Sequence, residues 1–302
     1  MVFFIFIFVL FILSILSISN FLIRKYNVKK LSVNWFKEDD LVEINGIKTH
    51  IVIKGQGNPL FLIHGSQMNL YDFKNNIDYF SDYFKVYAFD MVGCGFSEKP
   101  KGDYSPDFFA SFINNIMIHY TIDKASFIAS SWGGGHTLHF ALKYPSKVNK
   151  LVLSSPCTFN HKMTLSNVIL SNPILGRVIL LYSTKTLIKN ELKKAFNDSK
   201  KISKELVSSV YTPIFTKGYI NATVKSYANA DFSIIERNLE KIKSPVLLVW
   251  GSSDNIHPLW MMEKLKNRFL YCTTYVIENS GHLPHNETPQ LFNPRALGFL
   301  LE

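Results

Sequence analysis

Phe127-Ile128-Ala129-Ser130-Ser131-Trp132-Gly133-Gly134-Gly135 is the stretch on which the reading of this chain turns. It continues a short apolar run, Ala125 to Ala129, of the length a buried parallel strand needs. The segment that follows, His136 to Tyr144 (HTLHFALKY), carries helical rather than alternating apolar spacing. A turn this tight between strand and helix needs small residues two positions on either side of its apex, and Ala129 and Gly133 supply them. The geometry lifts the Ser131 hydroxyl above the sheet edge and makes it the candidate nucleophile. It also aims the Trp132 amide and the positive end of the helix at any oxyanion formed there. Ser130 raises a question of register. If Ser130 were at the apex, Trp132 would fall where the turn needs a small residue, so Ser131 is preferred.

A serine attacks only when a histidine takes its proton, and the histidine needs a carboxylate to fix its tautomer. Both partners are present downstream. Pro245 to Gly251 (PVLLVWG) is a second buried-strand run, and it opens into Ser252-Ser253-Asp254-Asn255, which puts Asp254 just past the strand end. Thr273 to Ile277 is a β-rich run, and the loop Glu278-Asn279-Ser280-Gly281-His282 follows it. In open α/β sheets the site forms at the C-terminal ends of the strands, where all three residues would stand. Their order in the chain is Ser, Asp, His. His285, three residues after His282, is the rival base and the second choice.

Together these segments resemble the α/β-hydrolase family, over about 250 residues from Glu43 onward by the motif order that defines such folds. Pro59 to Gly65 (PLFLIHG) resembles the family's strand and His-Gly loop, which implies that the first oxyanion amide comes from Ser66, supported by His64 and Gly65. His64 is expected to brace that turn rather than move protons. Phe89 to Ser97 (FDMVGCGFS) resembles the D-x-x-G-x-G-x-S loop, Leu151 to Pro156 the strand after the nucleophile helix, and Gly281-His282 with Glu287 and Pro289 the histidine loop. Ala129 departs from the usual first glycine of the elbow; a methyl group fits there but tightens the turn. Trp132 after the nucleophile resembles dehalogenases and epoxide hydrolases, but those relatives attack with a carboxylate, and no Asp occupies the elbow here. The resemblance therefore argues against both activities.

With 302 residues and 47% hydrophobic content, the chain has enough material for one large α/β core plus an insertion. Cys94, Cys157 and Cys272 are scattered without C-x-x-C spacing, which argues against a structural zinc site or a disulfide framework. Cys94, in a Gly-rich loop, reads as a small buried filler, with a reactive thiol as the alternative. There is no phosphate loop or dinucleotide fingerprint, so no cofactor and no metal are implied. His136 and His139 lie three apart on the nucleophile helix, a spacing that can hold a metal, but no carboxylate or third histidine is expected to accompany them. They read as packing or surface groups.

Met1 to Ile23 has no charged side chain and is built from Phe, Ile, Leu and Val, long enough to cross a bilayer as a helix. A cleaved signal peptide would need a basic start and a small-residue cleavage site, both of which are missing or poor. Residues 1–25 are therefore expected to be a transmembrane anchor and 26–40 a linker. Arg24, Lys25, Lys29 and Lys30 follow directly, which under the positive-inside rule puts the catalytic domain on the cytoplasmic side. The formal net charge of +10 suits a bilayer partner. A second basic stretch, Lys185 to Lys204, falls on an amphipathic helical pattern and reads as a solvated face; no nucleic-acid module accompanies it. No obligate protein partner is indicated. Asn221-Ala-Thr would accept a glycan only on an extracytoplasmic face.

The expected fold is α/β: a mostly parallel sheet flanked by helices, with core residues 41–158 and 244–302 and a helical cap at 159–243. A β hairpin spans Leu41 to Lys54, and helices are expected near Pro106 to Tyr120, Leu259 to Phe269 and Gln290 to Leu301. In the resembling family an insertion here covers the site, and a cap rich in Leu, Ile, Phe and Tyr would shape an apolar acyl pocket. The expected activity is hydrolysis of carboxylic esters through an acyl-enzyme on Ser131, including lipid esters such as monoacylglycerols. Two alternatives stand beside it: a carbon–carbon bond hydrolase of the same fold, and a non-catalytic binding protein that kept the fold.

Overall fold

The computed structural model describes residues 40–158 and 165–302, together with the isolated positions Phe11 and Ser14. The expected anchor at Met1 to Ile23, its basic flank and all of the linker but Asp40 therefore lie outside the described residues, as does the start of the cap at 159–164. Among the described residues no helix is long and apolar enough to cross a membrane.

The framework is an eight-stranded sheet made of β1 (Leu41–Ile44), β2 (Ile47–Lys54), β3 (Pro59–Ile63), β4 (Lys85–Phe89), β5 (Ala125–Ser130), β6 (Val148–Ser154), β7 (Val246–Gly251) and β8 (Cys272–Ile277). Their spatial order is β1-β2-β4-β3-β5-β6-β7-β8. The first two strands form the expected hairpin around Asn45-Gly46, whose φ angles of 49° and 76° are what a tight primed turn requires. β2 joins β4 antiparallel, and every later pairing is parallel.

Both faces of the sheet are covered, which is why its central strands read as unbroken apolar runs. Alternation still sorts the side chains: Phe61, Phe127 and Trp250 enter the core on one face, while Leu60, Leu62, Ile128 and Val249 enter that on the other. The helices are α1 (Lys74–Ser81), α2 (Pro106–His119), α3 (Ser131–Lys143), then α4 (Leu165–Ser171), α5 (Leu175–Leu181), α6 (Lys185–Ala195), α7 (Lys204–Tyr211), α8 (Tyr219–Ala228) and α9 (Ser233–Asn238) between β6 and β7. α10 (Trp260–Lys266), α11 (Pro284–Glu287) and α12 (Pro289–Leu301) complete the chain. α2 starts where sequence chemistry says it should: the Ser105 hydroxyl accepts from Phe108 N at 3.3 Å, and Pro106 fills the first helical position.

The helices between β6 and β7 carry a core of their own. Ile188, Leu192, Leu206, Val207 and Val210 cluster with Met68, from the loop after β3, and with Leu283, next to His282. The insertion is thereby packed onto two loops at the C-terminal ends of the strands. α1 and α11 lie outside the elements expected from sequence, because KNNIDYFS and PHNE are polar runs; in α1 only Ile77 and Phe80 among its apolar side chains are buried.

Candidate active site

The elbow between β5 and α3 is built under constraint. Ser131 has φ of 49°, a left-handed backbone that a serine holds only when its surroundings enforce it. A Cβ added at Gly133 would lie 2.3 Å from the His64 carbonyl oxygen and 2.6 Å from that of Ile63, so only glycine fits. Across the turn Gly65 is less tightly held: a Cβ there would sit 3.2 Å from Ser131 Cβ. Ala129 is fully buried in register between Ile63 and Leu153, so its methyl group is accommodated within the sheet. Ser130 points into the interior, and its hydroxyl has no partner.

Ser131, His282 and Asp254 come together. His282 Nδ1 lies 2.9 Å from Asp254 Oδ2, and its Nε2 lies 2.9 Å from Ser131 Oγ. Since a carboxylate can only accept, Nδ1–H donates to Asp254, which leaves the Nε2 lone pair to accept the serine hydroxyl. The other carboxylate oxygen, Oδ1, accepts from the amides of Ile256 at 2.9 Å and His257 at 2.8 Å. Burial opposes ionisation of Asp254, but His282 and the His257 amide outweigh it and hold the carboxyl below its usual range. The sequence reading did not single out His257. Its ring stands 4.7 Å from that of His282, nearly perpendicular to it, and its Nδ1 donates to the Ser155 carbonyl at 2.9 Å.

The histidine loop is tied to the insertion. The His282 amide donates to Ala195 O at 2.7 Å, at the end of α6. Glu287, quoted in the histidine-loop motif without a role, accepts from the amides of Gly281 at 2.7 Å, Asp198 at 2.7 Å and Asn197 at 3.2 Å. A single buried carboxylate thus fixes the loop carrying His282 and the chain leaving α6 relative to each other.

His64 stands where a brace belongs. Its Nδ1 donates to the Gly65 carbonyl at 2.8 Å while Nε2 accepts from the Met91 amide at 3.0 Å. Burial lowers its pKa, and both nitrogens are engaged away from Ser131. Asp90 anchors the same corner: it accepts from the amides of Leu70 and Phe96, each at 2.7 Å, and pairs with His50 Nδ1 at 2.7 Å. His285, the rival base, is instead fully buried between Ser154 Oγ, 3.2 Å from its Nδ1, and Asp72 Oδ2, 3.1 Å from its Nε2. His139 and His136 are both buried, and one expectation about them needs correcting. A carboxylate does accompany His139, since Asp107 reaches back from α2 to within 3.3 Å of its Nε2. Among the described residues no cluster of His, Cys, Asp and Glu is suited to a metal ion.

Beside the elbow opens a narrow cleft of about 30 Å³, whose wall includes Ser66, Trp132, His136, Tyr104, Tyr219 and Tyr227. The two residues expected to give oxyanion amides, Ser66 and Trp132, thus border one space. Tyr227 on α8 closes it from above: its ring lies 4.5 Å from that of Trp132, and its hydroxyl accepts from Gln67 Nε2 at 2.8 Å and donates toward Ser66 Oγ at 3.4 Å. Among the described residues neither Lys nor Arg lines the cleft. Cys94 does, but burial pushes its thiol up to about 12, so it stays protonated and behaves as a filler.

The profile of the alpha/beta hydrolase fold family matches residues 58–176 of this chain. A soluble epoxide hydrolase of Corynebacterium sp. (strain C12) is 26% identical over 280 residues, covering 85% of this chain and 94% of that protein. The 2-hydroxy-6-oxo-6-(2'-aminophenyl)hexa-2,4-dienoic acid hydrolase of Metapseudomonas resinovorans is 26% identical over 271 residues, 86% of this chain and 89% of its own. Among solved structures, a meta-cleavage product hydrolase from Pseudomonas fluorescens IP01 superposes with a TM-score of 0.75 at 23% identity, covering 86% and 96% of the two chains. The chain has the α/β-hydrolase fold, and within it residues 58–176 match the model of that family.

Proposed function

We propose that this protein is a serine hydrolase that cleaves apolar carboxylic esters through an acyl-enzyme. The observation that carries the reading is the continuous relay from Ser131 Oγ through His282 to Asp254, with both links at 2.9 Å. In the first step Ser131 attacks the ester carbonyl while His282 Nε2 takes its proton, and Asp254 stabilises the imidazolium. The amides of Ser66 and Trp132 receive the oxyanion, donors worth about 3 kcal/mol each in comparable sites. His282 then protonates the departing alkoxide. Water, activated by the same nitrogen, releases the acid and restores Ser131. The apolar cleft under Tyr227 holds the acyl group, and residues 159–243 form the cap over it. Fluorophosphonate labelling of the full-length protein, followed by a panel of esters, tests the assignment; a folded sample that takes no label overturns it and favours a binding protein.

One specific observation favours a second reading. One relative is a hydrolase of a hydroxy-oxo-dienoic acid, the class of substrate that a carbon–carbon bond hydrolase of this fold would take. Against it, such an acid substrate calls for a cation near its carboxylate, and among the described residues no Lys or Arg borders the cleft. Arg177 and Arg237, the two arginines of the insertion, are both exposed. The epoxide hydrolase relative suggests a different reaction, but the elbow here holds a serine where that chemistry uses a carboxylate. The lipid part of the proposal rests on Met1 to Ile23, read as a bilayer anchor that keeps the catalytic domain on the cytoplasmic face. Alkaline extraction of membranes and protease protection of the folded domain test it. Turnover of soluble short-chain esters without turnover of long-chain acylglycerols in vesicles would remove the lipid class.

A further inference from the structure

The cap carries an apolar face turned the wrong way for a soluble helix. On α5, Gly176 and Leu180 point inward: Leu180 is 2% exposed, and a Cβ at Gly176 would meet Leu170 O at 2.4 Å. The opposite face is made of Leu175, Val178 and Ile179, at i, i+3 and i+4, with Ile174 just before them. These four are 52%, 42%, 45% and 72% exposed, and Val168 on neighbouring α4 is 50% exposed. Of the sixteen large hydrophobic side chains exposed among the described residues, six lie between Val168 and Leu187. A concentration of that kind marks a surface that is covered in use.

Charge identifies what covers it. No acidic residue occurs anywhere between Asp123 and Glu191. Arg177 sits on the apolar helix itself, and α6 next along the chain presents exposed Lys185, Lys189 and Lys193. Lys185 reaches Ser208 Oγ at 3.2 Å, which leaves its ammonium on the surface. Exposed aliphatics bordered by cations, with the one carboxylate of α6, Glu191, held by Lys194 at 2.7 Å, match the two layers of an anionic bilayer surface, acyl chains below and phosphates above. A soluble protein partner would need a complementary acidic rim around an apolar pocket; the bilayer offers both over any area.

We propose that the α4–α5 face of the cap, with the cations of α5 and α6, docks on anionic lipid membranes. The docked cap then faces the lipid from which an apolar ester would come. This surface is distinct from the anchor proposed at Met1 to Ile23, and it does not depend on Ser131 being a nucleophile, because the test reads position rather than turnover.

Full-length protein bearing Val178→Cys is labelled with an environment-sensitive nitrobenzoxadiazole dye and mixed with phosphatidylcholine vesicles, with or without phosphatidylglycerol. Tyr83→Cys, on an exposed residue before β4 at the far end of the sheet, serves as the reference position. The parent protein, labelled in the same way, gives the background from Cys94, Cys157 and Cys272. The expected result is a blue shift and quenching by doxyl-lipids at position 178, confined to anionic vesicles and absent at position 83. Lys189→Glu with Lys193→Glu should reduce that quenching several-fold. An unquenched dye at 178 on vesicles that carry the protein overturns the proposal. Equal quenching in pure phosphatidylcholine overturns the anionic assignment. A blue shift that grows with protein concentration in the absence of vesicles overturns it in favour of a second copy of the chain.

Discussion

Ser131 Oγ and His282 Nε2 are 2.9 Å apart although 151 positions separate them in the chain. The contact exists because β5 and β8 end on the same edge of one sheet, β5 running directly into α3 at Ser131 and β8 leading into the loop that carries His282. Replacing Ser131 with alanine removes the attacking atom and should abolish fluorophosphonate labelling and lower kcat for esters by about 1,000-fold or more. Ser130→Ala, which deletes a buried hydroxyl without a partner, should label as the parent does. Labelling that follows Ser130 instead would sink the assignment.

Asp254→Asn tests the relay without emptying it. The Asn carbonyl can still accept from the Ile256 and His257 amides, which turns its NH₂ group toward His282 Nδ1. His282 would then accept at Nδ1 and carry its proton on Nε2, the wrong tautomer for a base. A fall in kcat of about 1,000- to 10,000-fold with little change in KM is expected. Retention of more than a tenth of the activity would show that Asp254 does not orient the base.

Much of this site could be read along the chain because its parts are local. The elbow, the turn after β7 and the loop after β8 each signal themselves through an apolar run followed by small or polar residues. What could not be read is pairing over distance. Nothing in sequence links His285 to Asp72 and Ser154, yet the fold buries the three together, and that pairing takes the rival base away from Ser131. The same is true of Asp107 beside His139, of His257 beside His282, and of Tyr227 folding down on Trp132. Each depends on where whole elements dock. Glu287 is intermediate: its motif was visible, but its grip on Asn197 and Asp198 needed the insertion in place.

Two glycine-to-alanine changes should move stability in opposite directions. Gly133→Ala forces a methyl group against the backbone of Ile63 and His64, neither of which can yield without opening the elbow. A loss of about 3 kcal/mol or more is expected, with activity lost in what remains folded. At Gly298, inside α12, an added Cβ meets nothing within 4 Å. There the helix gains from a less flexible unfolded chain, and Gly298→Ala should stabilise by about 0.5–1 kcal/mol. Urea midpoints of both variants check the pair, and a stabilising Gly133→Ala would contradict the packing described at the elbow.

His136 should make stability depend on pH. It is packed between Phe109 and Phe232, with ring centroids 4.1 Å and 5.3 Å away, and its Nδ1 has no partner. Burial, aided by the nearby His139 and His64, pushes its pKa from 6.5 down to about 3. The folded state therefore keeps the ring neutral over a range in which the unfolded chain protonates it. The contribution to stability is fully present above pH 6.5, and it declines as the pH falls below that value until the folded value near 3 is reached. By pH 5 the loss from this residue alone should be roughly 2 kcal/mol, since each unit of pKa difference corresponds to about 1.4 kcal/mol. His136→Phe keeps an aromatic ring among aromatic neighbours and removes the proton site. Its stability should match or exceed that of the parent at pH 7.5 and fall less steeply toward pH 5. Parallel curves of urea midpoint against pH for the two proteins would mean that His136 is solvated or charged in the folded state.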